Sequence, residues 1–245
     1  MGFGKRSLDG FMIEEANKLV SHIESLEGVT TVNSTLFTVP ILNVLWNMII
    51  GYPLPRDDSN INKILDNVNF IFTSKIFVLA TTAPWIRFFF PSLTGYNRRL
   101  KALEFMREYM RSEIEKHEKE LDEENPKDFI DSYLIEIKNN PDPEFCKDQL
   151  IMIGFDLIGA GSETSSTTLT WSLMYLALHP EVQEKCFKEI DNHLGIADVG
   201  LADMDELQYC QATIAEIQRV SQVAISTLQH RVVQDVIQRE VSYPS

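Results

Sequence analysis

Cysteine is scarce in this chain. Cys146, Cys186 and Cys210 are three in 245 residues, odd in number and far apart. That excludes a disulfide framework and points to free thiols in a reducing compartment. No Cys-x-x-Cys and no Cys/His cluster at metal-ligand spacing is present, so no metal ligand is assigned. Positive charge is also short. Lys and Arg number 22 against 36 Asp and Glu, a net charge of −14, which argues against a nucleic-acid partner. No apolar run reaches the ~18 residues of a membrane span. The strongest, residues 75–93, is broken by Pro84, Arg87 and Pro91. The first residues carry no apolar signal core, so the chain taken alone reads as soluble and cytoplasmic. A Gly-x-Ser-x-Gly elbow is missing and the five histidines show no tie to a nucleophile, which leaves a serine hydrolase unsupported.

What is present is ordinary globular material, 44% hydrophobic and 24% charged, without repeats or low-complexity linkers. Helical periodicity dominates. Ile13, Ala16, Leu19, Val20, Ile23 and Leu26 share one stripe. Pro40 suits the first turn of a helix running to Gly51. Residues 60–75 are amphipathic, and 76–95 are apolar and proline-broken, a segment expected to be buried or held against a partner surface. A charged helix over 96–124 turns Leu100, Leu103, Met106, Met110 and Ile114 inward. Asn125 then caps a helix to Ile137. Pro180 opens another that ends near Leu194 at Gly195. Asp205 caps one with the stripe Leu207, Cys210, Ile214 and Ile217. Residues 223–233 alternate as a strand does. The expected class is mainly α with minor β.

The most informative stretch is 150–179. It is long and apolar enough for a buried helix, yet its middle, Gly159-Ala160-Gly161-Ser162-Glu163-Thr164-Ser165-Ser166, is a poor helix former. Such a segment is kept where something must approach the backbone closely. A hydroxyl beside an acid, Thr164 beside Glu163, can relay protons, and the small Ala160 and Gly161 leave room next to them. A plainer reading is a buried helix whose Ser and Thr hydroxyls bond to carbonyls one turn back. Forty-eight residues after Thr168 come Glu216 and Arg219, an acid and a base one turn apart. Taken alone they are a solvated ion pair.

Together these elements resemble the oxygen-activating helix and the Glu-x-x-Arg helix of the haem-thiolate monooxygenases, the cytochrome P-450 superfamily. Trp171-Ser172-Leu173 and Leu178-His179-Pro180-Glu181-Val182-Gln183 extend the resemblance. Gly2-Phe3-Gly4-Lys5-Arg6-Ser7, Asn125-Pro126-Lys127-Asp128-Phe129-Ile130-Asp131 and Leu207-Gln208-Tyr209 are similar to the animal microsomal drug- and hormone-metabolising type. The resemblance implies a partial cytochrome P-450 fold, a single domain over 1–245. It implies haem as cofactor, a small apolar substrate, an NADPH-dependent reductase as partner and, for the complete protein, the endoplasmic reticulum membrane. Glu163 and Thr164 would act catalytically, Ala160 and Gly161 would flank the ligand space, and His230 would meet a haem propionate. Glu216 and Arg219 would form a buried structural pair that locks the core around the haem loop.

The sequence also departs from the family. No Phe-x-x-Gly-x-Arg-x-Cys-x-Gly loop exists, so the axial cysteine is absent. Ile225 and Gln229 stand where related sequences tend to carry prolines. The chain is therefore expected to be a fragment of a monooxygenase, inactive alone. The competing expectation is a non-catalytic, truncated helical protein that binds partners or apolar ligands.

Overall fold

The computed structural model describes residues 6–28, 35–54, 63–64, 66–68, 70–71, 85, 91–92 and 95–223. Among these the chain forms α1 (Arg6–Ser25), α2 (Thr35–Ile50), α3 (Tyr96–Glu120), α4 (Phe129–Asn139), α5 (Lys147–Leu178), α6 (Pro180–Leu194) and α7 (Gln208–Ser221). A short 3-10 turn covers Leu201–Asp203. No strand occurs among the described residues, and the expected strand at 223–233 lies outside them apart from Val223. Most of the apolar segment 76–95 lies outside them too.

The axis of the fold is α5. Its 32 residues run about 48 Å at 1.5 Å per residue. Along it lies α2, whose Leu42, Trp46, Ile49 and Ile50 are fully buried. From the other side come Met106, Met110 and Ile114 of α3 and Ile130 and Leu134 of α4. Leu150, Ile151, Phe155 and Ile158 of α5 complete this core. The helices approach closely at Gly154, where an added Cβ would fall 2.5 Å from Met110 Cε. A side chain there would have to displace the methionine, so the glycine sets how near α3 can come.

Several local expectations are corrected. Pro40 does not open α2 but sits inside it, because the helix starts at Thr35 and the added turn buries Phe37. Leu100 is exposed rather than inward, and Ala102 and Glu113 join Met106, Met110 and Ile114 on the buried stripe of α3. That helix ends at Glu120, since Leu121 is extended. Asp128, not Asn125, caps α4. Its backbone is extended and its Oδ1 accepts the Asp131 amide at 2.9 Å. On α1, Ala16 and Val20 are exposed while Glu15 is buried, because α1 covers only part of its neighbour.

The joint between α2, α3 and α4 is polar. His117 is nearly buried, with Nδ1 2.8 Å from Glu113 O, and Nε2 2.9 Å from Asp128 Oδ2 and 3.2 Å from Ile50 O. Acceptors face both ring nitrogens, so both carry protons and the ring is an imidazolium. Burial alone lowers its pKa, but the Asp128 carboxylate, the Glu113 carbonyl and the nearby Asp131 charge outweigh this and raise it to about 9. Gly51, at φ 83°, lets the chain leave α2 over Asp128, where a Cβ would meet Oδ2 at 2.5 Å. Beside it, Tyr52 donates to the buried Glu113 carboxylate at 2.5 Å, and burial followed by that contact pushes the phenol pKa up.

Candidate functional site

The Gly/Ser/Thr-rich middle of α5 is continuous α-helix, and six hydroxyls along it turn back onto its backbone. Thr164 Oγ1 donates to Ala160 O at 2.7 Å, Thr168 to Thr164 O at 2.8 Å, Thr170 to Ser166 O at 2.8 Å and Ser172 to Thr168 O at 2.9 Å. Ser166 reaches Glu163 O at 3.1 Å, and Ser162 reaches Gly159 O at 3.4 Å. These six hydroxyls close on carbonyls of the preceding turn, as the plainer reading anticipated. The segment is held as helix by its packing rather than by its propensity.

Packing also divides this segment by face. Gly159, Ser162 and Ser166 are buried, whereas Ala160, Thr164 and Ser165 are exposed and Gly161 and Glu163 half-buried. Gly161 abuts α2, where an added Cβ would lie 2.9 Å from Leu45 Cδ1. It therefore serves the α2–α5 contact. Thr164 lines a groove of about 810 Å³ bounded by α1, α2, α5 and α7, with Ile13, Leu45, Leu169 and Ile214 among its walls. The exposed face is a short row of small and hydroxylated groups over an apolar hollow, with the Glu163 carboxylate on the adjoining residue. Such a row can hold water at Thr164 and pass protons to it, although Asp9, Glu15 and Gln218 also line the groove.

On α7 the acid and base meet. Arg219 Nε donates to Glu216 Oε2 at 2.7 Å and Nη2 to Oε1 at 2.6 Å, a bidentate pair. The hydrogen bonds from Arg219 lower the Glu216 pKa, and those to Glu216 raise that of Arg219. Both side chains are exposed, at 70% and 59%. The pair expected from the resemblance to be buried is exposed here. His230 lies outside the described residues.

Two features escaped the sequence reading. Asp205 does not cap α7. Glu189 of α6 does, accepting the Tyr209 and Cys210 amides at 2.8 Å each. A cap supplied by another helix has no local sequence signature. The second is the cluster of His117, Asp128 and Asp131, whose potential ligand atoms lie within 4.8 Å of one another. Acceptors face both ring nitrogens, so in this structure the cluster is a hydrogen-bonded joint. Only the Asn-Pro-Lys-Asp run hinted at it.

The sequence model described as Cytochrome P450 matches residues 1–244. This chain belongs to the cytochrome P-450 family. Among its relatives are Cytochrome P450 2C4 of Oryctolagus cuniculus and Cytochrome P450 2J2 of Homo sapiens. The first is 31% identical over 251 residues, covering 99% of this chain and 50% of the relative. The second is 34% identical over 233 residues, covering 91% and 45%. A solved zebrafish cytochrome P450, determined with progesterone, superposes with a TM-score of 0.77 at 21% identity, over 89% of this chain and 50% of that one. It shows a shared fold. The chain spans about half the length of the curated relatives it matches. It is a partial cytochrome P-450 fold of the animal microsomal type, and the family's cofactor is haem iron.

Proposed function

We propose that this chain forms the oxygen-side wall of a haem-dependent monooxygenase, which inserts one oxygen atom from O2 into a small apolar substrate with electrons from an NADPH-dependent reductase. The observation that carries the reading is the exposure of Ala160 and Thr164, one turn apart, within the stretch of α5 that otherwise packs into the core. A helix that merely filled a core would bury its small residues and turn its charges outward. Here the Thr164 hydroxyl is placed at an apolar groove instead.

The three cysteines do not fit the iron. Cys146 caps the start of α5, 18 residues and therefore about 27 Å before Thr164, and neither Cys186 nor Cys210 lines the groove. The chain's own contribution is to hold and move protons. Glu163 is the acid, Thr164 Oγ1 keeps its hydrogen bond to Ala160 O or turns to a water in the groove, and Ala160 keeps the space beside it open. His230 would serve the cofactor's carboxylates, and Glu216 with Arg219 would tether a covering segment. Microsomal relatives imply the endoplasmic reticulum membrane for the whole protein. Among the described residues no helix is long and apolar enough to cross a membrane.

The test compares Thr164→Ala and Thr164→Ser in a polypeptide that supplies the cysteine ligand. Thr164→Ala is expected to bind haem and consume reductant while releasing peroxide in place of product, and Thr164→Ser to restore coupling. Normal coupling in Thr164→Ala would refute the assignment. The 245-residue chain, reconstituted with haem, reduced and treated with CO, is expected to show no thiolate-type absorption band. The groove also favours a second reading, in which the chain binds apolar ligands without catalysis. Apolar ligand binding that Thr164→Ala leaves untouched, in a polypeptide without turnover, would favour that reading.

A further inference from the structure

Outside the groove, one pair of side chains has no part in the proposed chemistry. Cys186 stands mid-way along α6 and Cys210 in the first turn of α7, and the two helices pack directly on one another. Both residues are half-buried and free. Cys210 Sγ donates to Cys186 O at 3.7 Å, and Cys186 Sγ donates to Thr213 Oγ1 at 3.5 Å. Each thiol is thus turned toward the partner helix. Glu189, one turn beyond Cys186, accepts the Cys210 amide. Two thiols that each reach the other's helix, on helices packed directly together, are placed to meet through rotamer changes.

We propose that Cys186 and Cys210 are a redox-sensitive dithiol, which a small-molecule disulfide of the glutathione type oxidises to an intramolecular disulfide clasping α6 to α7. The exchange balances as two protein thiols plus one small disulfide giving one protein disulfide and two small thiols. The Cys186 thiolate attacks the small disulfide, forms a mixed disulfide and expels one small thiolate, which takes up a proton. The Cys210 thiolate then attacks the Cys186 sulfur and expels the second. Burial, then the Glu189 carboxylate and the neighbouring Cys186, push the Cys210 thiol up to about 12, so Cys186 leads and closure by Cys210 is the slow step.

The clasp matters because its surroundings are thinly packed. No residue of α6 is buried, and α7 buries only Ile217. A cross-link between them restrains the segment that carries Glu216 and Arg219, by limiting the unfolded chain.

The full 245-residue chain is equilibrated with mixtures of reduced and oxidised glutathione, its remaining free thiols are alkylated, and its peptides are mapped by mass spectrometry. The expected product joins the Cys186 and Cys210 peptides with loss of two hydrogens, while the exposed Cys146 carries only glutathione. The oxidised chain is expected to melt roughly 5–10 °C above the reduced chain. Cys186→Ser and Cys210→Ser should each abolish that rise, and Cys146→Ser should preserve it. Separate glutathione adducts on Cys186 and Cys210 without a joined peptide would overturn the proposal, as would a joined peptide that leaves melting unchanged. The unsubstituted chain, oxidised against reduced, decides the matter even where a variant folds poorly.

Discussion

Residues 147–166 of α5 contain every buried residue of that helix, and residues 167–178 contain none. The first part is clamped between α2, α3 and α4, and its side chains interdigitate with fully buried partners. The second part meets α6 and α7, where Leu169, Leu178, Phe187 and Ile214 remain 42–65% exposed. One helix thus serves as core at one end and as an uncovered face at the other. Apolar residues at helical spacing mark a face to be buried, but they do not say how much of its cover this chain carries. The Thr164 groove lies at the border between the two regimes.

The comparison predicts where substitutions will hurt. His117→Ala is expected to have the largest effect. It removes the cation from a joint holding Ile50, Glu113 and Asp128 and leaves Asp128 buried without it, at a cost of about 3–5 kcal/mol in urea unfolding. Leu150→Ala, at the buried end of α5, should cost about 2–5 kcal/mol. Phe187→Ala, in the exposed layer, should stay within about 0.5 kcal/mol. Equal losses from Leu150→Ala and Phe187→Ala would erase the distinction between the two regions.

The charge state of His117 supplies a pH test. Its folded pKa, about 9, lies above the ordinary 6.5. Its contribution is therefore complete below pH 6.5 and is lost as pH rises through 9, a difference of about 3 kcal/mol. Unfolding measured from pH 6 to 10 should weaken over that window in the parent chain and stay flat there in His117→Gln. The smallest effect is expected from Arg219→Ala. Its exposed pair leaves the melting of this chain unchanged, whereas in a haem-loaded polypeptide the same change should lower haem content. A large loss of stability in this chain would show that the pair already acts as a tether here.

Helix existence was legible in the sequence because period and punctuation agree. Pro180 and Gly195 bracket α6 as read, and the stripe from Met106 to Ile114 on α3 is buried as read. The errors came where a distant residue does the local work. Leu207 opens α7 with no cap of its own because Glu189 reaches across from α6. Leu100 fits the α3 stripe by spacing yet lies outward. At the candidate site, the order Ala160, Gly161, Glu163, Thr164 was readable, but the allocation of faces was not. Gly161 turned out to meet Leu45, and Thr164 the groove.

The sequence by itself determined the helical class, the family motifs and the adjacency of acid to hydroxyl on α5. Those depend on neighbours within one turn, whose relations the chain itself carries. Only the tertiary structure decided that His117 is a buried imidazolium, that Cys186 touches Cys210, and that Arg219 and Glu216 pair in the open. Burial and charge state follow from which helices pack together, and residues 24 or 67 positions apart become neighbours only through that packing.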